Sequence, residues 1–164
     1  MTLTIRRARD TDLDTVLEIA GRAWDPVFAS VNAVLGSELA RSLHGEDWRT
    51  HHAAEIASIL AGMTAWVAVR GEAMVGFAAA RLVDPGRRIG EVHIVGVDPR
   101  AQRSGVGAAL VRHAEDWLRE QDMTVVFIGT GGDPGHAPAR SLYASLGYRP
   151  FPVIQHYKRL DAEG

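Results

Sequence analysis

No cysteine occurs in this chain, and that absence excludes disulfide bonds, thiolate metal ligands and a cysteine nucleophile. Long apolar runs are absent too. No stretch reaches the roughly 18 residues that a membrane-spanning helix needs, and the N-terminal MTLTIRRARDTD lacks the apolar middle of a signal peptide. These absences predict a soluble, cytoplasmic protein with no membrane partner.

Neither sign of charge dominates, since 18 Lys and Arg stand against 20 Asp and Glu, interspersed along the chain, for a net charge of -2. A basic surface for nucleic acid is therefore not indicated, and no nucleic-acid partner is expected. Repeats, low-complexity tracts and domain boundaries are also missing from the 164 residues. The length and the apolar fraction of 46% predict a single domain over residues 1–164 with one core.

Strand-like and helix-like patterns alternate along the chain, which is typical of an α/β fold. Residues 64–83, TAWVAVRGEAMVGFAAARLV, predict two strands joined in a hairpin at Arg70-Gly71-Glu72. Further strands are predicted at LTIRRA near the N-terminus, at GEVHIVGV, at MTVVFIG and, as the last element, at PVIQHYKRL (152–160).

Capping residues and glycines place the expected helices between these strands. Thr11 and Asp14 have the spacing of a capping box for a helix that runs toward Trp24. The next segment, VFASVNAVLGSELARSL, is broken by Gly36 and predicts short helical pieces, and a longer helix follows Asp47. Two later helices are predicted from SGVGAALVRHAEDWLREQ and PARSLYASLG.

The turn between the strand GEVHIVGV and the next helix carries two glycines, Gly105 and Gly107. Apolar residues at helical spacing place the start of that helix near Gly105, so its first amide groups lie at the turn. Those amides have no partner within the helix and carry a partial positive charge, while glycines remove the Cβ atoms that would keep a phosphate from the backbone. The turn therefore predicts an anion site.

Other interpretations of the two glycines stay open at this point. No Gly-Lys-Ser/Thr follows them, so a nucleoside-triphosphate loop is not indicated. Leu110 stands where the dinucleotide-binding pattern GxGxxG has its last small residue, which weakens that interpretation as well. The glycines are equally consistent with a tight turn and a close helix contact that bind no ligand.

The segment VDPRAQRSGVGAALV resembles the acyl-CoA-binding motif of the GCN5-related N-acetyltransferase (GNAT) family, Q/R-x-x-G-x-G/A. The matching residues are Gln102, Gly105 and Gly107. The resemblance implies that backbone amides here hold the pyrophosphate of coenzyme A and that the preceding strand pairs with its pantetheine arm. The implied cofactor-binding residues are Val95, Val97, Gln102, Arg103, Ser104, Gly105, Val106, Gly107 and Ala108.

A second segment, HAPARSLYASLGY, is similar to the family's downstream helix, in which an alanine, a tyrosine and a Leu-Gly-aromatic ending recur. The resemblance implies a single-domain α/β fold with a mixed, mostly antiparallel sheet flanked by helices. It also implies acetyl-CoA as cosubstrate. One departure is His136, which stands where the family often has an asparagine that contacts pantetheine.

Direct attack of an amine on a thioester needs an acid, a base and positioning, but no enzyme nucleophile, so the missing cysteine is no obstacle. The resemblance places the general acid at Tyr143, whose phenol can give a proton to the departing thiolate. Tyr143 also lies on or near one helical face with Leu142 and Leu146. A tyrosine in that setting can instead belong to the core.

For the general base, the strand GEVHIVGV offers Glu91 and His93. Because strand side chains alternate, both are expected on one face with Val95 and Val97, about 7 Å apart along the strand. Either group can take a proton from an ammonium. Glu91 is slightly preferred, because the resemblance implies the base at its position in some histone-acetylating members of the family and because a carboxylate on the cleft face could attract an ammonium. The alternative is an ordinary strand end with a solvated glutamate and a packed histidine.

The connection GTGGDPGHAPAR, residues 129–140, is unusually rich in glycine and proline. It follows a predicted strand and precedes the helix with Tyr143, so it is expected at the carboxyl end of the sheet, where α/β proteins bind ligands. Asp133 is expected to cap a helix, and His136 is expected to contact the bound cosubstrate.

Trp24 and Phe28 are candidates for an aromatic wall of the acceptor pocket, although such residues more often cap a core. In the predicted helix after Asp47, His51 and Glu55 have i, i+4 spacing. Adjacent residues such as His51 and His52 point about 100° apart on a helix, so no metal site is expected.

These residues together predict an acyl-CoA-dependent N-acyltransferase that passes acetyl directly to a primary amine, carried by a small molecule or a peptide. One alternative is a non-catalytic module that senses acyl-CoA, and another is a structural partner protein that uses the same fold. The resemblance also implies a homodimer, for which the predicted last strand is a candidate contact.

Overall fold

The computed structural model describes residues 1–161, and its centre is a five-stranded sheet. In chain order and also in spatial order, the strands are β1 Leu3–Arg7, β2 Thr64–Arg70, β3 Ala73–Asp84, β4 Ile89–Val97 and β5 Val125–Phe127. Neighbouring strands are antiparallel, except that β4 and β5 are parallel. The predicted α/β fold with a mixed, mostly antiparallel sheet is confirmed, as is the hairpin between β2 and β3.

Helices lie on both faces of the sheet: α1 Leu13–Leu35, α2 Ser37–His44, α3 Trp48–Gly62, α4 Val106–Glu120 and α5 Ala137–Ser145. The expectation that the first helix ends near Trp24 is wrong, because α1 continues through Pro26. A proline removes only one backbone donor, and packing rather than propensity supplies most helix stability in a folded protein. Gly36, with φ +81°, separates α1 from α2 as predicted.

The start of α1 is organised by Asp12 rather than by the predicted pair of Thr11 and Asp14. The Asp12 carboxylate accepts the Arg9 amide at 2.8 Å and pairs with both terminal nitrogens of Arg6 at 2.8 and 2.9 Å. Asp12 is buried, so a charged partner compensates for its lost hydration. The predicted capping box of Thr11 and Asp14 is wrong because the ion pair of Asp12 depends on Arg6 of β1, which is packed beside the turn.

The core has two layers, one on each face of the sheet. On one face, α1 and α3 pack on the sheet through Val16, Ile19, Ala20, Ile56, Val67 and Phe77. On the other face α4 supplies Val106, Leu110, Ala114 and Leu118 at the helical spacing that the sequence predicts. The start of α4 is thereby fixed against the end of β4.

A β-bulge at His93 changes the predicted facing of β4. Ile94 pairs with Ala79 and Val92 pairs with Ala80, so two steps on β4 match one step on β3. Glu91 therefore pairs with Arg81 and lies on the α1–α3 face, whereas Val95 packs on the α4 face. The expectation that Glu91, Val95 and Val97 share a face is wrong, because strict alternation does not hold across a bulge.

The predicted last strand, residues 152–160, is not a strand in the structure. Strand geometry needs a partner for its backbone groups, and β5, which ends the sheet, pairs with β4 over only three residues. Phe151, Val153 and Ile154 are left exposed. In residues 1–161 no helix combines the length and the apolar character needed to cross a membrane.

Candidate active site

The site is a cleft formed where β4 and β5 separate. Their pairing joins Ile89–Glu91 to Val125–Phe127 and stops there, so the rest of β4 has no strand partner on that edge within residues 1–161. A cavity of about 680 Å³ opens between β4, the loop after β5, and the facing parts of α1, α4 and α5. Most predicted site residues line it: Trp24, His93, Val95, Val97, Gln102, Arg103, Gly105, Gly107, Ala108, His136 and Tyr143.

One end of the cleft is the N-terminus of α4. The first helical hydrogen bond runs from the Ala109 amide to the Gly105 carbonyl at 3.0 Å, so the amides of residues 106–108 precede the hydrogen-bonded ladder. Gly105 has φ +83°, and a Cβ built there meets no protein atom within 4 Å. The preceding Arg103 is also left-handed, with φ +56°. The turn therefore presents backbone donors and a guanidinium to the cavity.

The second glycine has a packing role beside its place in the lining. A Cβ on Gly107 would lie 3.0 Å from Leu142 Cδ2, so this glycine lets α5 approach α4. The turn and packing interpretation of the two glycines is therefore correct as far as it goes. It does not exclude an anion site, because the open backbone of residues 105–108 faces the cavity and not only α5.

The turn is held in place by contacts that sequence reasoning missed. Gln102 Nε2 donates to the Val97 carbonyl at 3.3 Å, and Arg70 Nη2 donates to Ser104 Oγ at 3.2 Å. These two bonds tie the turn to the ends of β4 and β2. Of the predicted residues of this turn, Ser104 and Val106 do not line the cavity.

Asp98 is the main buried anchor of this turn, and the Asp-Pro that ends β4 was the signal for it in the sequence. Its carboxylate accepts a hydrogen bond from the Arg100 amide at 3.0 Å. It also accepts hydrogen bonds from the guanidinium groups of Arg22 and Arg100 at 2.7 to 2.9 Å. These hydrogen bonds, with that to Arg100 first, hold the pKa of Asp98 well below its ordinary value. Asp98 therefore stays ionised over the whole neutral range.

Asp98→Asn is expected to lower the free energy of unfolding at pH 7 by about 1 to 2 kcal/mol. The loss is modest because Arg22 and Arg100 are partly exposed to solvent, which weakens their ion pairs with Asp98. Because the folded pKa is depressed, this stabilisation is fully present above the unfolded pKa near 4 and is lost progressively as pH falls from there through the folded pKa. Urea titrations at pH 7 and pH 3 measure it. A loss equally large at pH 3 would contradict the charge-based account.

Tyr143 is one of the residues that line the cavity. Burial raises the pKa of Tyr143 to about 12, so its phenol is protonated at neutral pH. Within residues 1–161 its hydroxyl makes no side-chain hydrogen bond, whereas the neighbouring Tyr148 hydroxyl donates to Glu115 Oε1 at 2.8 Å. One tyrosine of this pair is thus tied to α4, and the other keeps a free donor at the cleft.

Glu91 and His93 are in contact, but only His93 lines the cavity. Arg81 Nε donates to Glu91 Oε2 at 2.5 Å, and His93 Nδ1 lies 3.0 Å from Glu91 Oε1. Glu91 is buried and is not part of the cavity lining, while His93 is half-buried and lines it. The carboxylate therefore holds one imidazole nitrogen and leaves the other for chemistry in the cleft.

The glycine-rich loop is packed tightly on α1. The Gly135 amide donates to Ser30 Oγ at 2.9 Å and to Asp133 Oδ2 at 3.1 Å, so Asp133 caps the short turn before α5 as predicted. Arg140 Nη1 donates to the carbonyls of Gly131 and Asp133, both at 2.7 Å. Asp133 also contacts the Nδ1 of His136, which fixes this histidine in the cavity wall.

The two candidate aromatic residues occupy different places. Trp24 lines the cavity and packs on Phe77 and His52, with ring centroids 6.3 and 5.0 Å apart. Phe28 stacks on Trp48 at 4.1 Å and is not part of the cavity lining. Between residues 1 and 161 there is no group of three or more His, Cys, Asp or Glu side chains that could hold a metal ion.

The cleft lies beside splayed parallel strands, with a helix N-terminus at one end and a tyrosine and a histidine in its lining. Such a shape suits an elongated anionic ligand. Comparison with known sequences identifies the class. The model of the acetyltransferase (GNAT) family matches residues 35–148. The chain belongs to the GNAT acetyltransferase family, which confirms the resemblance.

Individual relatives agree with this assignment. A mycothiol acetyltransferase of Amycolatopsis mediterranei is 35% identical over 96 residues, which are 55% of this chain and 31% of that protein, so the chain spans less than a third of this relative. Among solved structures, the PaiA N-acetyltransferase of Thermoplasma acidophilum, in complex with coenzyme A, superposes with TM-score 0.67 at 17% identity, covering 91% of both chains. The ribosomal-protein-S18-alanine N-acetyltransferase of Escherichia coli superposes with TM-score 0.63 at 24% identity, covering 89% of this chain and 77% of that one.

Proposed function

We propose that this protein is an N-acetyltransferase that transfers the acetyl group of acetyl-CoA directly to a primary amine. The observation that carries the proposal is the single cavity that connects the N-terminus of α4 with Tyr143 and His93. An anion-binding end and a pair of acid and base candidates are the parts that this reaction needs. Two similar proteins are named for acetyl transfer, a mycothiol acetyltransferase and a ribosomal-protein-S18-alanine N-acetyltransferase. They support the proposal by analogy only.

Acetyl-CoA fits this cavity in one direction. The amides of residues 106–108, with Arg103 beside them, suit the pyrophosphate. The edge of β4 after Glu91 has no strand partner, so its backbone groups are available to the amides of pantetheine. His136, on the opposite wall, is placed to contact the same arm. The thioester then lies near Tyr143 and His93.

Gly105→Val is expected to weaken acetyl-CoA binding at least tenfold, or about 1.4 kcal/mol. Valine is strained at φ +83°, and its side chain would enter the open space where we place the pyrophosphate. Calorimetry on the folded variant measures the effect. Gly36→Val is the matched control, because that glycine has φ +81° and lies away from the cavity. Equal affinity in both variants would remove the proposed site.

The reaction assigns separate tasks to three side chains. His93 takes a proton from the ammonium of the acceptor, and the neutral amine attacks the thioester carbon. The new N–C bond forms, the C–S bond breaks, and Tyr143 gives a proton to the sulfur. The attacking nitrogen loses its second proton, which restores the Tyr143 phenol, while His93 releases the first proton to solvent. Glu91 does not touch the reacting atoms but holds the Nδ1 of His93 and stabilises the protonated ring. Glu91, the base that the sequence slightly prefers, is less suited to this task because both of its carboxylate oxygens already have partners, Arg81 and His93.

An amine panel incubated with acetyl-CoA, with free thiol followed over time, tests the function. At least one amine should release thiol well above the rate without protein. A protein that binds acetyl-CoA tightly but accelerates no amine in the panel would be the non-catalytic sensor instead. Absence of any coenzyme A binding would indicate a structural partner protein.

A further inference from the structure

A second cavity, of about 570 Å³, lies between α3 and β4. It shares His93 and Ile94 with the cleft described above, so the bulged segment of β4 is a wall of both cavities. The remaining walls come from α3, mainly His51, His52, Glu55, Ser58 and Ile59. A molecule in this second cavity would approach His93 from the side opposite the α4 turn.

The two cavities differ in charge. Within the described chain, Glu55 is the sole carboxylate that lines either of them, and Arg103 is the sole arginine or lysine that does so. Glu55 makes no ion pair with an arginine or lysine within 4.0 Å in residues 1–161, and its contacts are His51 Nε2 at 3.5 Å and His52 Nδ1 at 3.6 Å. The lining of the cleft is therefore cationic at the α4 turn, and the lining of the second cavity is anionic at α3, with His93 in both.

The inner wall of the second cavity is uncharged but polar. The His52 side chain is 8% exposed and its Nε2 has no hydrogen-bond partner in the described part of the chain. Burial lowers the pKa of His52, so its ring is neutral. Trp24 and Phe28 pack against it, with ring centroids 5.0 and 5.5 Å away. A buried polar atom without a partner is costly, and a bound hydroxyl or amide would satisfy it.

We propose that this second cavity binds the acceptor, and that the acceptor is a compact amine with one ammonium group and otherwise uncharged polar groups. The proposal rests on the proposed function and specifies its substrate class. Glu55 attracts the ammonium, which His93 then deprotonates at the junction of the two cavities. A single carboxylate cannot neutralise a polycation, and it repels an acceptor that carries its own carboxylate.

Steady-state kinetics with ethanolamine, glucosamine, spermidine and glycine test the substrate class. We expect the first two to be preferred in kcat/KM. Glu55→Gln should raise their KM about three- to tenfold, as for a partly solvated ion pair, and leave kcat and the acetyl-CoA affinity within twofold. Added salt should raise KM for the unmodified protein but not for Glu55→Gln, a response that a purely structural role would not produce.

Glu46→Gln is the matched control, because Glu46 is an exposed glutamate outside both cavities. It should leave KM and its salt dependence unchanged. Preference for spermidine or glycine, or an unchanged KM in Glu55→Gln, would overturn the acceptor assignment while the transferase function stands.

Binding without turnover separates the two proposals. Calorimetry with ethanolamine and glucosamine in the presence of coenzyme A should give heat with the unmodified protein and weaker binding with Glu55→Gln. If no amine of the wider panel releases thiol but these amines still bind in this way, the transferase function fails and the amine site stands. If neither amine binds and neither is acetylated, the acceptor assignment fails.

Discussion

Tyr143→Phe is expected to lower kcat by roughly 10² or more while acetyl-CoA affinity stays nearly constant. The substitution keeps the ring and its packing and removes only the hydroxyl. Burial raises the pKa of Tyr143 to about 12, so the wild-type phenol carries its proton throughout the working range and can donate it to the sulfur that leaves. Steady-state release of free thiol measures kcat, and calorimetry measures the affinity for acetyl-CoA.

Tyr148→Phe is the matched control for this experiment. The two rings are 6.0 Å apart, but the Tyr148 hydroxyl already donates to Glu115. Its loss should cost about 1 kcal/mol of stability and leave kcat close to that of the unmodified protein. If Tyr143→Phe reduced kcat less than threefold, Tyr143 would be a core residue and not the acid.

His93→Gln is expected to reduce kcat/KM by about 10² at neutral pH, with the activity recovering as pH rises toward the pKa of the amine. Without a base, the reaction depends on the fraction of amine that is already neutral in solution. Glu91→Gln should cost less, on the order of tenfold, because the imidazole remains in the cleft and loses only its carboxylate partner. A pH profile of each variant with one amine measures the difference.

The shape of those profiles decides between the two groups. A base is required only while the amine is protonated, so the recovery at high pH belongs to whichever variant lacks the base. If Glu91→Gln showed the steep recovery and His93→Gln kept the profile of the unmodified protein, Glu91 would be the base and the assignment of His93 would be wrong. Arg81→Gln is a further check on positioning, since Arg81 touches Glu91 but does not line the cleft.

Several features of the site were predictable because they depend on short stretches of chain. The glycines at 105 and 107 and the apolar spacing of α4 predict where the helix begins, and the helix N-terminus then follows from backbone geometry. The segment around Tyr143 was assigned by its resemblance to a family helix, and the structure places that residue in the same cavity as the turn. Asp133 could be assigned as a cap from the Asp-Pro-Gly sequence alone.

Other features were not predictable, since they depend on partners distant in sequence. The bulge at His93 arises from the register of β4 against β3, and it moved Glu91 onto the face of Arg81. The Asp98 network needs Arg22, which lies 76 residues away on α1. A strand pattern at residues 152–160 was read as a strand, but pattern cannot supply the hydrogen-bonding neighbour that a strand requires.

By itself the sequence determined the order of most elements, the class of the sheet, the glycine turn that opens α4 and the family, because periodicity, glycines and motif spacing are local properties. Only the tertiary structure decided how the chemistry is divided. It placed Glu91 behind His93, left the Tyr143 hydroxyl without a side-chain partner in residues 1–161, and made His93 a lining residue of two cavities. Those relations are set by cross-strand register and by helix packing on the sheet, which bring together side chains that no local pattern connects.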